Sequence, residues 1–249
     1  MNAALALAIG AVALLYASVG HAGATGYIAV MTLFGIAPVV IRPTALVLNV
    51  IVATIATAQF VRAGHFRGSL FWPLAAASVP CALVGGAIRL PTGAFEKLVG
   101  IVLAGSALRL MRDAWAPGGA PDAAVKAPPT PPSTPVMAVL GGGIGLLSGL
   151  TGVGGGVFLT PVLLALRAAS VKQIAAATAP FILVNSLAGL AGGLVGGRAL
   201  PAVSLPVIAA AVLGGAIGSQ LGAFRLPVRA IQFLMAAVLA IASVKLFGL

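Results

Sequence analysis

The chain has 249 residues, of which 61% are hydrophobic and only 7% are charged. Soluble domains carry about 25% charged residues, so this composition excludes an ordinary soluble protein. The formal net charge is +11, but the basic residues stand singly or in pairs, which argues against a nucleic-acid surface. Cys81 is the one cysteine, so neither a disulfide framework nor a cysteine metal site is expected.

Long apolar blocks predict an all-α membrane protein, a polytopic helical bundle, because backbone inside a bilayer must satisfy its own hydrogen bonds. In chain order, the blocks of the first half are 3–19, 27–37, 43–61, 70–88 and 95–110. Those of the second half are 136–150, 157–166, 174–194, 203–221 and 228–247. The first block lacks a basic start and has a counterpart in the second half. It is therefore predicted to be a retained helix rather than a signal peptide.

A proline-rich linker divides the chain into two predicted repeats. Residues 112–135 contain runs of proline that cannot hold a helix, and they separate the repeats 1–111 and 136–249. The halves share the order of their blocks, and residues 83–88 (LVGGAI) match residues 212–217 (VLGGAI). Internal duplication of this kind is typical of secondary transporters.

The first span of each repeat is interrupted by a glycine-rich break, at 20–26 and at 152–156. If each broken unit crosses once, there are about eight spans, and the basic residues divide evenly between the two sides. If both pieces cross, there are ten crossings and the repeats are inverted. The side opposite the linker then holds five of the fourteen basic residues, namely Arg42, Arg89, Lys97, Arg198 and Lys245. The positive-inside rule would place the linker in the cytoplasm. The second pieces, at about 11 residues, are too short for a straight crossing, which favours inverted repeats.

The two breaks are the predicted binding site. Glycine lets backbone N–H groups approach a ligand, and a half-helix that starts after the break directs its positive end at an anion. The alternative role for glycine is close helix packing. The predicted site glycines are Gly20, Gly23 and Gly26 in the first break and Gly152, Gly154, Gly155 and Gly156 in the second.

Few polar side chains lie inside the spans. Asn49 and Asn185 are predicted at similar depth in the helices after the breaks, with Thr178 one to two turns before Asn185. Thr25 and His21 lie within the first break, and His21 can donate to an anion or carry a proton. The alternative for each amide is an interhelical hydrogen bond. Weaker candidates are Ser148, Thr151 and Ser186, because a hydroxyl can bond back to its own helix.

Acidic residues are scarce and lie outside the predicted spans. Glu96, Asp113 and Asp122 fall in loops or at span ends. A cation transporter usually needs a carboxylate inside the membrane, so an anionic substrate is favoured. No sequence motif of a catalytic, metal or cofactor site is present, so no enzyme, metal or cofactor is predicted.

Two motifs carry a family resemblance. Residues 20–27 (GHAGATGY) and 42–49 (RPTALVLN) resemble the first half of TauE/SafE sulfite exporter family proteins. Residues 152–161 (GVGGGVFLTP) and 175–178 (AAAT) resemble the second half. The resemblance implies a multi-pass permease of the plasma (inner) membrane that moves sulfur-containing or organic anions, such as sulfite, sulfoacetate or thiosulfate.

The sequence therefore predicts a secondary transporter whose small anion lies between the two breaks and whose halves rock to give alternating access. Its expected partners are that anion and membrane lipid. No nucleic-acid partner is expected, and the sequence does not decide whether the chain forms a homo-oligomer. A passive anion channel and a non-transporting membrane assembly subunit are the alternatives.

Overall fold

The computed structural model describes residues 3–18, 20–89, 91–115, 132–166, 168–224, 240 and 244. Within these residues the fold is all-helical, which confirms that part of the prediction. The nine helices are α1 (Ala3–Ser18), α2 (Ala24–Leu33), α3 (Pro38–Arg62), α4 (Gly68–Ala87), α5 (Thr92–Trp115), α6 (Thr134–Thr151), α7 (Gly156–Ala165), α8 (Val171–Val195) and α9 (Leu205–Phe224).

Helices α3, α4, α6 and α8 are long and apolar enough to cross a membrane, and α1, α2, α5 and α9 contribute shorter apolar segments. The chain is therefore a multi-pass membrane protein. The predicted block 228–247 lies outside the described residues except for residues 240 and 244, and so does most of the predicted linker. Residues 112–115 of that linker continue α5.

Local sequence explains where several helices begin. Pro38 opens α3 in the first turn, where proline's missing N–H has no helical partner to lose. The predicted start at Pro43 is therefore wrong by five residues, and Pro43 lies inside the helix. Ser170 and Gln173 form a capping box at the start of α8, which satisfies two N–H groups that the helix leaves open.

The chain reverses at each break. A Cβ on Gly26 would lie 2.5 Å from Val12 Cγ1, although 14 residues of continuous helix would separate them by about 21 Å. A Cβ on Gly155 would lie 3.0 Å from Ile144 Cγ2, which is 11 residues back. Each break therefore turns the chain back over the helix that precedes it, as a re-entrant pair would.

The fourth helix of each half packs on the other half. Helix α4 contacts α6 and α8, whereas α9 contacts α1 and α3. One buried cluster draws mainly on α1, α2, α3 and α5, and it includes Val207 and Ala211 of α9. A second draws on α4, α6, α7 and α8. Helices α3 and α8 contact each other between these groups.

Helices α3 and α8 run antiparallel. Ala56 and Phe60, late in α3, cluster with Ala176 and Ala179, early in α8. The same end of the molecule carries Arg62 and Lys172, and the opposite end carries Arg42, Arg89 and Arg198. Of the two predicted topologies, the ten-crossing one groups these residues in this way, and the number of crossings stays a prediction.

Candidate functional site

The second break is a buried turn of left-handed backbone. Gly152, Gly154 and Gly155 have φ of 78°, 78° and 83°, values that residues with a Cβ adopt only at a cost of about 1–2 kcal/mol. Helix α7 begins at Gly156. Phe158 N–H already donates to the Gly155 carbonyl at 3.1 Å, so the N–H groups of Gly156 and Val157 are the ones that the helix itself leaves open at the break.

Polar side chains from three helices surround the second break. Asn49 of α3 donates from Nδ2 to the Val153 carbonyl (3.4 Å) and to Ser186 Oγ (3.3 Å). Asn49 Oδ1 and Ser148 Oγ are buried and have no hydrogen-bond partner. An unpaired buried polar atom costs about 1–3 kcal/mol. A ligand oxygen that accepts from Ser148 Oγ would relieve that part of the cost, whereas Asn49 Oδ1 is an acceptor and needs a donor.

Asn185 does not share the position of Asn49. Its Nδ2 donates to the Phe181 carbonyl at 2.8 Å. Its Oδ1 accepts from Ser78 Oγ of α4 at 2.5 Å. Both polar groups of Asn185 are therefore used in helix packing. The adjacent Ser186, a weaker candidate in the sequence, is the α8 residue that reaches Asn49.

Thr178 of α8 lies beside the start of α7. Its Oγ1 is 3.2 Å from Thr160 Oγ1, and its Cγ2 would lie 3.1 Å from a Cβ on Gly156. The predicted residues Thr178, Gly156, Gly154 and Asn49 are thus grouped around one turn of backbone.

The first break is closed by aromatic side chains. Gly23 has φ of 110° and lies against the ring of Tyr27, whose hydroxyl donates to the Ala22 carbonyl at 2.7 Å. Thr25 Oγ1 donates to the hydroxyl of Tyr16 at 2.9 Å. Thr25 and Gly26, predicted within the break, belong to the first turn of α2. The Thr25 hydroxyl already has a protein acceptor.

The two breaks meet. His21 Nε2 is 3.2 Å from the Gly156 carbonyl oxygen. A Cβ on Gly20 would lie 2.6 Å from the Cβ of Ala175 in α8. Although 135 residues separate them in sequence, the histidine of the first break therefore contacts the residue at which α7 begins.

The position of Arg42 differs from the one that the sequence predicts. Arg42 was predicted on the rim of the membrane but is 5% exposed, one turn inside α3. Its Nη2 donates to the carbonyls of Gly85 (2.8 Å), Gly86 (3.0 Å) and Gly149, the last a short contact. Its side-chain stem packs against Gly152. Arg42 begins the 42–49 motif, which was a signal that it belongs near Asn49.

The comparisons with known proteins agree with this architecture. A family model described as "Sulfite exporter TauE/SafE" matches residues 5–246. The chain is similar to a protein of Sinorhizobium fredii (strain NBRC 101917 / NGR234) named "Probable membrane transporter protein y4hK". The two are 41% identical over 197 residues, which cover 79% of this chain and 78% of the relative. No solved structure matches the chain significantly.

Proposed function

Because the chain belongs to the TauE/SafE sulfite exporter family of membrane transporters, we propose that it carries a small sulfur-containing or organic oxyanion, such as sulfite or a sulfonate. It acts in the plasma membrane, the inner one where a cell has two. The observation that carries the proposal is the meeting of the two helix breaks beside Asn49 and Ser148.

The second break supplies most of the proposed site. N–H groups of the first turn of α7 and the hydroxyl of Ser148 are donors, and an anion needs donors rather than a carboxylate. Asn49 makes only long hydrogen bonds, of 3.3 and 3.4 Å. These are weak enough for the amide to exchange them for an anion oxygen. Thr178 and Ser186 complete this side.

The first break supplies a different wall. The side chains of Tyr16 and Tyr27 occupy the space beside α2 and engage the Thr25 hydroxyl and the Ala22 carbonyl. We assign His21 as the group of this break that faces the anion, because its ring reaches Gly156. A histidine there provides a ring N–H that can donate a hydrogen bond.

Alternating access would move two groups of helices about this site. Because α4 packs on α6 and α8, and α9 packs on α1 and α3, residues 3–115 and 132–224 do not pack as separate bodies. We propose that the moving groups are instead α1, α2, α3 and α9 on one side and α4, α6, α7 and α8 on the other. The α3–α8 contact, which carries Asn49 and Ser186, would be their hinge and their gate.

Flux into proteoliposomes tests the site. We expect Asn49→Ala to reduce sulfite or sulfonate flux at least tenfold, because each charge-assisted hydrogen bond contributes about 1.5–3 kcal/mol. Asn185→Ala, matched in chemistry, should lower thermal stability with a smaller effect on flux per folded protein. If Asn49→Ala leaves flux unchanged, the proposed site is wrong.

Counterflow separates a carrier from a passive channel. Vesicles preloaded with unlabelled sulfite should accumulate labelled sulfite transiently above equilibrium if one site alternates between the two sides. A passive channel equilibrates the label without overshoot. Absence of overshoot with active protein would overturn alternating access, whereas it would leave the anion specificity open to the first test.

A further inference from the structure

Three arginines converge where α4, α6 and α8 end. Arg198, after α8, donates from Nη2 to the Gly86 carbonyl at 2.7 Å, which Arg42 also uses. Arg89, after α4, donates from Nε to the Gly196 carbonyl at 2.7 Å.

Helix dipoles neutralise only part of this charge. Each helix C-terminus carries the equivalent of roughly −0.5 charge, so three ends supply about −1.5 against three guanidinium groups. Bonding to carbonyls therefore explains how the arginines are held, but the three helix ends alone leave about 1.5 positive charges of the guanidinium groups unbalanced. An anion is the complement that this excess favours.

An open pocket adjoins two of these arginines. It lies between α3 and α8 and is lined by Arg42, Leu46, Gly193 and Arg198 among others. The α8 side of the pocket combines Gly189 and Gly193 with Leu190 and Leu194.

Arg198 retains an unused donor at this pocket. Its Nε is buried and has no hydrogen-bond partner, although its Nη2 is engaged. A guanidinium presents its donors in a planar fork that matches two oxygens of a sulfonate, sulfite or phosphate group.

We propose that the Arg42–Arg198 pocket binds one oxyanionic group and is separate from the site at the helix breaks. The group is a free small oxyanion or the phosphate of an anionic lipid, since both present the same oxygens. Leu46, which is 2% exposed, lies on the α3 face between Arg42 and Asn49 (positions i, i+4 and i+7).

This placement suggests how the two sites are related, a point that rests on the proposed function. An anion in the arginine pocket would be one side chain, Leu46, away from the break. The pocket would then be a vestibule on the side opposite the linker.

Binding to purified full-length protein tests the pocket without requiring transport. In nanodiscs of phosphatidylcholine, we expect sulfite or inorganic phosphate to bind, and Arg198→Gln to weaken binding about tenfold, the loss of one charge-assisted contact. Arg198→Gln removes the charge and the guanidinium fork but keeps a polar side chain. Any anion binding that Asn49→Ala removes comes from the site at the helix breaks rather than from the arginine pocket.

A control variant and a measurement of retained lipid distinguish a free oxyanion from the phosphate of a lipid. Arg62→Gln removes a charge at the opposite end and should leave binding unchanged. If neutral nanodiscs show no Arg198-dependent anion binding, native mass spectrometry should show a retained phosphatidylglycerol that Arg198→Gln loses, which assigns the lipid headgroup. If Arg198→Gln changes neither anion binding nor lipid retention, the arginines are only helix caps and the proposal is overturned.

Discussion

Two buried serines differ in what they do with their hydroxyl groups. Ser148 and Ser78 are both 0% exposed, and their helices, α6 and α4, pack together. The Ser78 hydroxyl donates to Asn185 at 2.5 Å, whereas the Ser148 hydroxyl has no partner. Removing a partnered hydroxyl leaves Asn185 Oδ1 unsatisfied, but removing an unpartnered one leaves nothing behind.

Ser148→Ala should therefore keep or slightly raise the midpoint of thermal unfolding while it weakens sulfite affinity several-fold. Ser78→Ala should lower that midpoint, by the equivalent of about 1–3 kcal/mol, with affinity retained in the folded fraction. Differential scanning fluorimetry and binding on the same samples measure both effects. A loss of stability in Ser148→Ala with unchanged affinity would contradict a ligand-facing hydroxyl.

The two asparagines show where sequence alignment of the halves fails. Asn49 follows Thr44 by five residues, but Asn185 follows Thr178 by seven. Two extra residues rotate a helical side chain by about 200°. If the threonines correspond, the asparagines face opposite directions, and the structure places Ser186 rather than Asn185 beside Asn49. The difference in threonine-to-asparagine spacing indicated that the two asparagines face different directions. Their similar depth in the helices did not indicate this.

Glycines form the seam along which α4 and α6 pack. Gly141, Gly145 and Gly149 repeat every four residues on α6 and lie against Leu74, Ser78 and Ala82 of α4. Such small-residue rows let membrane helices approach closely enough for backbone to touch backbone. The packing role that the sequence left open for glycine is therefore the role of these three.

A matched pair on α6 isolates this effect. A Cβ on Gly145 would meet the Ser78 backbone and lie 2.6 Å from Ser78 Oγ, but a Cβ on Gly143 would meet nothing within 4 Å. Gly145→Ala should thus lower stability by about 1–3 kcal/mol, measured as a lower thermal midpoint in detergent. Gly143→Ala should be neutral or stabilising by up to about 1 kcal/mol. Equal behaviour of the two variants would contradict the seam.

The elements themselves were largely predictable from the sequence. Apolar block length and glycine clusters indicated both breaks and the short helices α2 and α7, because these signals are local. The burial of Arg42 was not predictable in that way. Its environment depends on carbonyls from the ends of α4 and α6, which only the tertiary arrangement brings to it.

The sequence also did not predict that α4 and α9, the fourth helix of each half, pack on the other half. Apolar faces on α4 and α9 suit several neighbours equally, since helix association in lipid depends on shape rather than on hydrophobicity. The structure selects α6 and α8 for α4, and α1 and α3 for α9. The halves defined by sequence are therefore not the groups defined by packing.

Cross-linking distinguishes these two divisions. In a Cys81→Ser background, Ala77→Cys with Gly142→Cys joins α4 to α6 at a Cβ–Cβ distance of 3.9 Å, which suits a disulfide. That bond links the sequence halves but lies within one packing group, so transport should persist. Ala56→Cys with Ala179→Cys, bridged by a bifunctional methanethiosulfonate whose disulfides can be reduced, joins α3 to α8 and should stop transport.

The opposite result would restore motion of the sequence halves. If the α4–α6 disulfide blocks flux and the α3–α8 bridge does not, residues 3–115 and 132–224 move as units. Reduction of each bridge should recover flux and serves as the internal control.

The exchanged helices also impose an order on synthesis. Helix α4 packs on α6, whose glycines line the contact between them. When the ribosome has completed α4, α6 has not yet been made. The first half must then wait in the bilayer without its main partner, and α9 completes the packing of α1 only near the end of translation. Neither half expressed alone should yield a stable product, whereas the two halves expressed together should protect each other from degradation.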